Sequence, residues 1–245
     1  MNAPHILVIG ESCIDRYIYG KAERLAPDTP APVLIPLYTT KNKGMAANVV
    51  ENLKNLGAQV DLITNESSLV KTRYVDDKTN HMFMRLDEGE DEVVPCGVVS
   101  SIDFSNYDAI IISDYCKGFL TEEDIELMCN AHSKVFVDTK KVVGGFVKNA
   151  FMVKINEQEW KNTQKYGTYK ESDNIVITLG NKGCSYRGHT FSVDNVPVKD
   201  QSGAGDTFVA GLCYSYVKHN DINVAIKFAN ECAGKVVRTR GVSTV

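Results

Sequence analysis

Short, continuous apolar runs alternate with helical patterns along most of this 245-residue chain. Strands buried on both faces look like this, because neither face needs polar residues. The runs are HILVIG (5–10), QVDLIT (59–64), DAIIIS (108–113), KVFVDT (134–139), FMVKI (151–155) and NIVITL (174–179). Between them, AANVVENLKNL and EEDIELMCNAH have the apolar spacing of helices. This alternation predicts an α/β fold, doubly wound around a mostly parallel central sheet.

Other segments alternate apolar and polar residues and lie near turn residues. They are PVLIPLYTT (32–40) and the pair TRYVD (72–76) and HMFMRLD (81–87). They predict a small accessory β-sheet that covers one edge of the core as a lid, or strands that extend the main sheet. We expect one domain over residues 1–245, with lid strands near 16–40 and 70–87. Open edges and an apolar face on such strands predict a homodimer joined through them.

Composition narrows the class of partner. With 43% hydrophobic residues the chain can bury a sizeable core, and a net charge of −4 argues against nucleic-acid binding. The seven cysteines form no CxxC pair and the five histidines are scattered, which predicts reduced thiols and no zinc site. The first residues lack the basic and apolar regions of a signal peptide, and no apolar run reaches membrane-span length. We expect a cytoplasmic protein that binds small molecules, with no nucleic-acid or membrane partner.

The stretch KDQSGAGDTF (199–208) places three small residues before an acid and a helical apolar pattern. The N–H groups of Gly203, Ala204 and Gly205 would lie at a helix N-terminus, where an anion such as phosphate is stabilised. Asp206 in the first turn could then serve as a general base beside a phosphoryl group. The alternative is an ordinary glycine-rich turn, followed by an acid that the helix dipole favours.

Familiar phosphate and hydrolase motifs are missing from the sequence. There is no GxxxxGK[ST], GAGDTF supplies only part of GxGxxG and lies far from the first strand, and QSGAG is not GxSxG. Ligands of open α/β sheets collect at the carboxyl ends of the strands, so polar residues after strand runs are candidates.

Each of these candidates has a functional and an ordinary interpretation. Asp15 and Asn48 could hold sugar hydroxyls, or be a loop carboxylate and a helix-start residue. The segment Asn156-Glu157-Gln158-Glu159 could organise a hydrated Mg²⁺, with Glu159 favoured, or supply acids that suit a helix dipole. TLGNKG (178–183) could run alongside a bound nucleotide or form a tight turn.

Five segments together resemble one known family. GMAAN (44–48), SDYCKG (113–118), KINEQE (154–159), TLGNKG and DQSGAGDTF, in this order, are similar to the ribokinase-like carbohydrate kinases, also called the phosphofructokinase-B family. The resemblance covers essentially the whole chain. VKTR (70–73), MRLDEGED (84–91) and ISDYCKGFLT (112–121) further resemble the kinase domain of the bifunctional enzyme of ADP-heptose synthesis.

The resemblance implies a ribokinase-like fold and ATP-dependent phosphorylation of a sugar or sugar phosphate. Asp206 would be the base, and the amides of residues 203–205 would hold the transferred charge. The other implied roles are sugar contacts by Asp15, Gly44 and Asn48; phosphate and magnesium contacts by Asn156 and, through water, Glu159; nucleotide contacts by Thr178, Gly180 and Gly183; and, as in some relatives, a monovalent cation such as K⁺ at Asp200 and Ser202.

Lys117, Arg73 and Arg85 would bind a phosphate already on the sugar, which makes D-glycero-D-manno-heptose 7-phosphate the best candidate substrate. They could equally be solvated surface charges. The chain departs from the family in having Gly44-Met45 where two glycines are usual, and in shorter segments after residues 65 and 160. The alternatives are a kinase for an unphosphorylated sugar or nucleoside, and a non-catalytic sugar- or nucleotide-binding descendant.

Overall fold

The computed structural model describes residues 3–167, 169 and 173–245. Within them the strands are β1 (His5–Gly10), β2 (Ser12–Lys21), β3 (Ile35–Met45), β4 (Gln59–Ile63), β5 (Leu69–Asp76), β6 (Met82–Glu88), β7 (Ala109–Asp114), β8 (Val135–Thr139), β9 (Met152–Asn156), β10 (Ile175–Thr178), β11 (Cys184–Tyr186) and β12 (His189–Phe191). The helices are α1 (Ala46–Asn55), α2 (Glu122–Ala131), α3 (Glu157–Tyr166), α4 (Ala204–His219) and α5 (Ile222–Val236).

In the described part of the chain, eight strands form a central sheet in the order β12-β11-β10-β9-β8-β7-β1-β4. The strands from β10 to β4 run parallel, and β11 and β12 add antiparallel to one edge. The six apolar runs lie in the parallel part, which confirms the predicted fold class. β4 lies on one side of β1 and β7 lies on the other, so the strand order switches direction at β1. Open α/β sheets bind ligands at the carboxyl ends of the strands beside such a switch, which here are β1 and β7.

Successive residues of the central strands point to opposite faces of the sheet. In β1, Ile6 and Val8 pack with α1, α4 and α5, whereas Leu7 and Ile9 pack in the cluster that contains α2. Each of these four side chains is fully buried, and such burial contributes about 1.5–3 kcal/mol per side chain. Helices on both faces therefore explain why the strand sequences are continuously apolar.

A separate sheet in the described residues contains four strands in the order β3-β2-β5-β6. β2 is antiparallel to β3 and parallel to β5, and β5 is antiparallel to β6. This confirms the predicted accessory sheet, with β3 beginning at Ile35 and continuing to Met45. β2 was not predicted as a strand of its own, although the lid range expected near 16–40 overlaps its later residues, and Asp15 lies within β2 rather than in a loop after the first strand. The inward residues of β2 include Cys13, Asp15 and Tyr17, and this mixed polarity hides the usual alternation.

The accessory sheet contacts the segments around the start and end of the last two helices. The Asn80 side chain donates a hydrogen bond to the Lys199 carbonyl at 3.0 Å, and Arg240 donates to the Asp77 carbonyl at 2.9 Å. These contacts place the inner face of the sheet beside the loop that leads into α4. The residues predicted to face a sugar therefore lie close to the glycine-rich turn.

Three further properties concern the helices, the metal-binding side chains and the cysteines. None of the helices in residues 3–167, 169 and 173–245 has the length and apolarity needed to cross a bilayer. The same residues contain no group of three or more His, Cys, Asp or Glu side chains arranged to hold a metal ion. All seven cysteines are free; Cys116 is exposed and the others are buried.

Candidate active site

The glycine-rich turn forms the N-terminus of α4. Gly203 has φ 80°, a left-handed conformation that glycine adopts without strain, and a Cβ there would lie 2.7 Å from Asn48 Nδ2. A Cβ on Gly205 would lie 2.8 Å from Lys154 Nζ. The N–H of Ala204 donates to the Gln201 carbonyl at 3.2 Å. The Ala204 N–H is therefore engaged within the turn, and the start of α4 brings the positive end of the helix dipole close to a buried ammonium group.

Asp206, in the first turn of α4, is only 3% exposed. The Tyr115 hydroxyl donates to its Oδ1 at 2.6 Å, and Asn48 Nδ2 donates to its Oδ2 at 3.0 Å. Burial raises the pKa of Asp206 to about 6, against the opposing effect of these two hydrogen bonds. A carboxylate with this pKa is mostly ionised at neutral pH and is a stronger base than an ordinary aspartate.

Two lysines that the sequence analysis did not assign lie beside Asp206. Lys154 Nζ is 2.8 Å from Asp138 Oδ2, and both side chains are almost fully buried. Lys140 Nζ is 2.5 Å from Glu159 Oε1 and 3.8 Å from Asp138 Oδ1. Lysine is rarely buried unless it is paired. The position of Lys154 inside the apolar run FMVKI could therefore have indicated, from the sequence alone, a buried and paired lysine.

A cleft of about 650 Å³ lies in front of this cluster, within the size range of small-molecule sites. Its lining brings together predicted residues from three segments and the two newly found lysines. They are Gly203, Ala204, Gly205, Asp206, Asn156, Thr178, Gly180, Gly183, Lys140 and Lys154. The residues assigned to catalysis and to the nucleotide therefore share one cavity.

Asn156 and Glu159 form a capping box at the start of α3. The Glu159 N–H donates to Asn156 Oδ1 at 2.8 Å, and the Asn156 N–H donates to Glu159 Oε2 at 2.8 Å. Glu159 Oε1 accepts a hydrogen bond from Lys140. Both carboxylate oxygens of Glu159 are thus engaged, which fits the ordinary helix-start interpretation and leaves an outer contact through water for a metal ion.

The residues predicted to face the sugar come from three elements. Asp15 on β2 forms an ion pair with Arg73 on β5. Gly44, near the end of β3, lies against them, since a Cβ there would lie 2.0 Å from Asp15 Oδ2. Asn48 on α1 reaches Asp206 instead of standing free. These contacts connect the accessory sheet to the start of α4.

Met45, which replaces the second glycine usual in the family, has φ 58°. This left-handed conformation is strained for a residue with a Cβ. The Met45 side chain is buried and packs with Cys13 and Leu69. The substitution therefore fills space beneath the accessory sheet at some cost in backbone strain.

Arg85 and Lys117 do not line the main cleft. Arg85 pairs with Asp87 at 2.8 Å, and Lys117 Nζ lies 2.6 Å from Glu90 Oε2. Carboxylates of the protein thus neutralise both side chains. A substrate phosphate would have to compete with those carboxylates.

Asp200 and Ser202 lie beside a second cavity of about 350 Å³, which Arg73 also lines. Asp200 Oδ1 accepts the Ser202 N–H at 2.9 Å, and its Oδ2 accepts the Gly241 N–H at 3.1 Å. The carboxylate therefore joins the loop before α4 to the segment near residue 241.

Comparison with known proteins relates this chain to kinases. The bifunctional protein HldE of Nitratiruptor sp. is 27% identical over 98% of this chain, and that of Helicobacter pylori strain J99 is 29% identical over 96%. The chain spans 63% of the length of these two relatives. The ribokinase of Thermotoga maritima has a TM-score of 0.71 at 15% identity, with 98% of this chain and 94% of that chain covered.

The ribokinase of Arabidopsis thaliana, solved with ribose and ATP, has a TM-score of 0.65 at 13% identity, with 98% of this chain and 94% of that chain covered. At such identities the structural matches show the fold. The model of the pfkB family carbohydrate kinases matches residues 85–245, well over half of the chain. The chain therefore belongs to the pfkB family of carbohydrate kinases, and ATP-dependent phosphorylation of a carbohydrate hydroxyl, the activity expected from the sequence, is the activity of this family.

Proposed function

We propose that this kinase phosphorylates a sugar that already carries a phosphate, with D-glycero-D-manno-heptose 7-phosphate as the first candidate. One observation carries the proposal: the ammonium group of Lys71 lies 5.3 Å from the ring of Tyr115, which contacts Asp206, and forms no ion pair with a carboxylate of the described residues. The similarity to HldE proteins and the sequence resemblance to the kinase domain of ADP-heptose synthesis support a heptose.

In the proposed reaction, a sugar hydroxyl faces Asp206 and gives it a proton as its oxygen attacks the γ-phosphorus of ATP. The bond from the γ-phosphorus to the bridging oxygen breaks, and ADP leaves. Donors at the start of α4 would stabilise the charge on the transferred group. Lys154, beside Gly205, adds a positive charge beneath this position. Asn156, Thr178, Gly180 and Gly183, in the same cleft, would contact the nucleotide.

Cation sites are proposed around this cleft. Magnesium commonly keeps several waters and binds mainly through substrate phosphates, whose charge it neutralises. Glu159 would hold it through water, because both of its oxygens are engaged. Nearby, the buried Asp138 Oδ1 has no hydrogen-bond partner within the described residues and lies 3.8 Å from Lys140 Nζ. Asp200 and Ser202 are the proposed contacts of a monovalent cation such as K⁺.

Lys71 differs from the three cations that the sequence assigned to the phosphate. Its Nζ lies 5.3 Å from the centre of the Tyr115 ring, whose hydroxyl donates to Asp206. Within the described residues Lys71 has no carboxylate partner, whereas Arg73, Arg85 and Lys117 each have one. An unpaired, half-buried ammonium group gains more from an incoming phosphate than a paired one does.

We expect Lys71→Ala to raise KM for heptose 7-phosphate by about 10- to 100-fold, since a hydrogen bond to a charged group contributes about 1.5–3 kcal/mol. Turnover should change little, because a remote phosphate contact acts equally in the ground and transition states. The measurement is ADP release from ATP, with the same heptose lacking phosphate as the second acceptor.

Lys117→Ala should have a smaller effect than Lys71→Ala, because Glu90 already neutralises Lys117. Lys43→Ala is the matched control, since Lys43 is an exposed lysine of the accessory sheet that pairs with Glu51. An equal loss on the phosphorylated and unphosphorylated sugars would remove Lys71 from the phosphate site.

We also propose a homodimer joined through the outer face of the accessory sheet. Strand register places Ile14, Met84 and Leu86 on this face, and each is more than 40% exposed. We expect light scattering at micromolar concentration to give twice the mass of the chain, and Met84→Lys to shift it towards one chain. A monomeric mass for the unaltered protein would refute this arrangement.

A further inference from the structure

Glu11, between β1 and β2, is a fully buried carboxylate. Its Oε2 accepts the backbone N–H of Tyr115 at 2.8 Å, and its Oε1 accepts those of Lys117 at 2.9 Å and Phe119 at 3.3 Å. All three donors belong to the loop 115–119, which follows β7. The loop includes Cys116 at φ 57°, a conformation that needs support from its surroundings. One side chain therefore fixes the path of a loop in another part of the chain.

This loop delivers the Tyr115 hydroxyl to Asp206. Two lysines contact the Tyr115 ring: the Nζ atoms of Lys71 and Lys140 are 5.3 and 5.4 Å from the ring centre. Burial, together with the charge of Asp206, raises the pKa of Tyr115 well above its usual value. The phenol therefore stays protonated and acts as a permanent donor. With Asn48 on the other oxygen, it fixes the orientation of the carboxylate.

We propose that Glu11 is a positioning residue for phosphoryl transfer: it holds the loop 115–119 so that the Tyr115 hydroxyl reaches Asp206. This inference rests on the proposed role of Asp206 as the base. A carboxylate that served only to stabilise the fold would lower the melting temperature when replaced, and would leave the titration of Asp206 unchanged. A positioning role therefore predicts an effect on Asp206 that a purely structural role does not.

The direction of that effect follows from the hydrogen bond. A donor stabilises the ionised carboxylate and lowers its pKa, so removing the donor must raise the pKa. Burial already places the pKa of Asp206 at about 6, so the acid limb of the rate profile should lie near that pH in the unaltered protein. Other titratable groups near Asp206 also act on it, and they stay in place in the variants below: Asp138, Lys154, Lys140 and Cys13.

The test is a ¹³C NMR titration of labelled aspartate carboxyl groups, with Asp206 assigned by its loss in Asp206→Asn. We expect Tyr115→Phe to move the Asp206 titration upward by about one pH unit, the size expected for one hydrogen bond to a charged group. Glu11→Gln should move the Asp206 titration in the same direction. Both oxygens of Glu11 accept backbone N–H groups, whereas glutamine has only one oxygen that can accept them. Glu11→Asp, which keeps the carboxylate, should move the Asp206 titration less than Glu11→Gln does.

The double variant Glu11→Gln/Tyr115→Phe should titrate like Tyr115→Phe alone, because the two residues act through one hydrogen bond. Kinetics with ATP and heptose 7-phosphate should show the same upward move of the acid limb, with KM nearly unchanged. An unmoved Asp206 titration in Glu11→Gln, with only a lower melting temperature, would overturn the inference whatever Tyr115→Phe does. The titration does not depend on turnover, so it tests Glu11 separately from the proposed function. A wrong substrate would show as missing activity in the unaltered protein. A wrong base would show as full activity in Asp206→Asn.

Discussion

Replacing Asp206 by asparagine should lower turnover by about 10²–10⁴-fold, the usual contribution of a general base. Asparagine keeps the shape of the side chain and an oxygen for Tyr115 or Asn48, but it cannot accept the proton of the sugar hydroxyl. ATP should bind as well as before or more tightly, because a negative charge near the phosphates is removed. Calorimetric ATP binding and single-turnover kinetics on the same protein measure both effects.

The matched control is Asp221→Asn, since Asp221 also lies at a helix start, where its side chain accepts the N–H groups of Asn223 and Val224. It should leave turnover unchanged. If Asp206 only favoured the helix dipole, Asp206→Asn would cost about 0.3–1 kcal/mol of stability and keep turnover within a few-fold. Near-normal turnover in Asp206→Asn would therefore end its assignment as the base.

Stability should respond to pH in a definite direction. The pKa of Asp206 is higher in the folded protein than in the unfolded chain, so its contribution to stability is present at low pH and is lost as the pH rises through about 6. Asp206→Asn should therefore gain stability relative to the unaltered protein as the pH rises from about 4 to about 6, with little further change above about pH 7. Melting curves across this range measure the difference.

Replacing Lys154 by methionine should be the most destabilising of the substitutions considered. Lys154 and Asp138 form a buried pair at 2.8 Å, and removing one partner of such a pair typically costs about 3–5 kcal/mol. For a chain of this size that corresponds to a fall in Tm of roughly 6–20 °C. Burial would raise the pKa of Asp138, but Lys154 and Lys140 together hold it below its usual value.

Two further variants separate charge from volume in this result. Lys154→Met/Asp138→Leu should be less destabilised than Lys154→Met, because no buried carboxylate is left unpaired. Lys161→Ala, at an exposed lysine of α3 that pairs with Glu157, should change stability by less than about 1 kcal/mol. The effect of Lys154→Met should shrink as the pH falls below the ordinary pKa of an aspartate, since protonation of Asp138 removes the pairing. A Lys154→Met protein as stable as the unaltered one would show that this pair does not support the fold.

The central sheet was predictable because its strands are buried on both faces. β7 and β8 are buried at every residue, so their sequences carry a signal that does not depend on the rest of the fold. β2 carries no such signal, because it is partly covered and its inward side chains include Asp15 and Tyr17. β11 and β12 have only three residues each and pair along an edge, which gives too short a pattern to detect.

The candidate site was predictable only where a motif lies within one segment. The glycine-rich turn and the first turn of α4 are continuous in sequence, so their shared location follows from local rules. The hydrogen bond from Tyr115 to Asp206 joins residues 91 positions apart, and the bonds that Glu11 accepts cross 104 to 108 positions. Contacts between such distant residues depend on the strand order, which makes the carboxyl ends of β1 and β7 neighbours. They could not be predicted from local sequence patterns.

The ion pairs also could not be predicted from the sequence. Arg73, Arg85 and Lys117 were chosen as phosphate contacts by residue type and position, yet each has a carboxylate partner in the fold. Lys71, in the same β5 segment as Arg73, has none in the part of the chain that the structure describes. A free cation can be told from a paired one only after the neighbouring strands are in place.

The claim that the acceptor is a sugar phosphate is tested most directly by comparing kcat/KM of the unaltered protein for two acceptors. These are D-glycero-D-manno-heptose 7-phosphate and the same heptose without phosphate, with ATP as donor, ADP release as the rate and mass spectrometry of the sugar product. We expect a ratio of about 100 or more in favour of the phosphorylated sugar, as two or more hydrogen bonds to a charged group would give, and a product with a second phosphate. Equal kcat/KM values, or ADP release that does not depend on either acceptor, would contradict it.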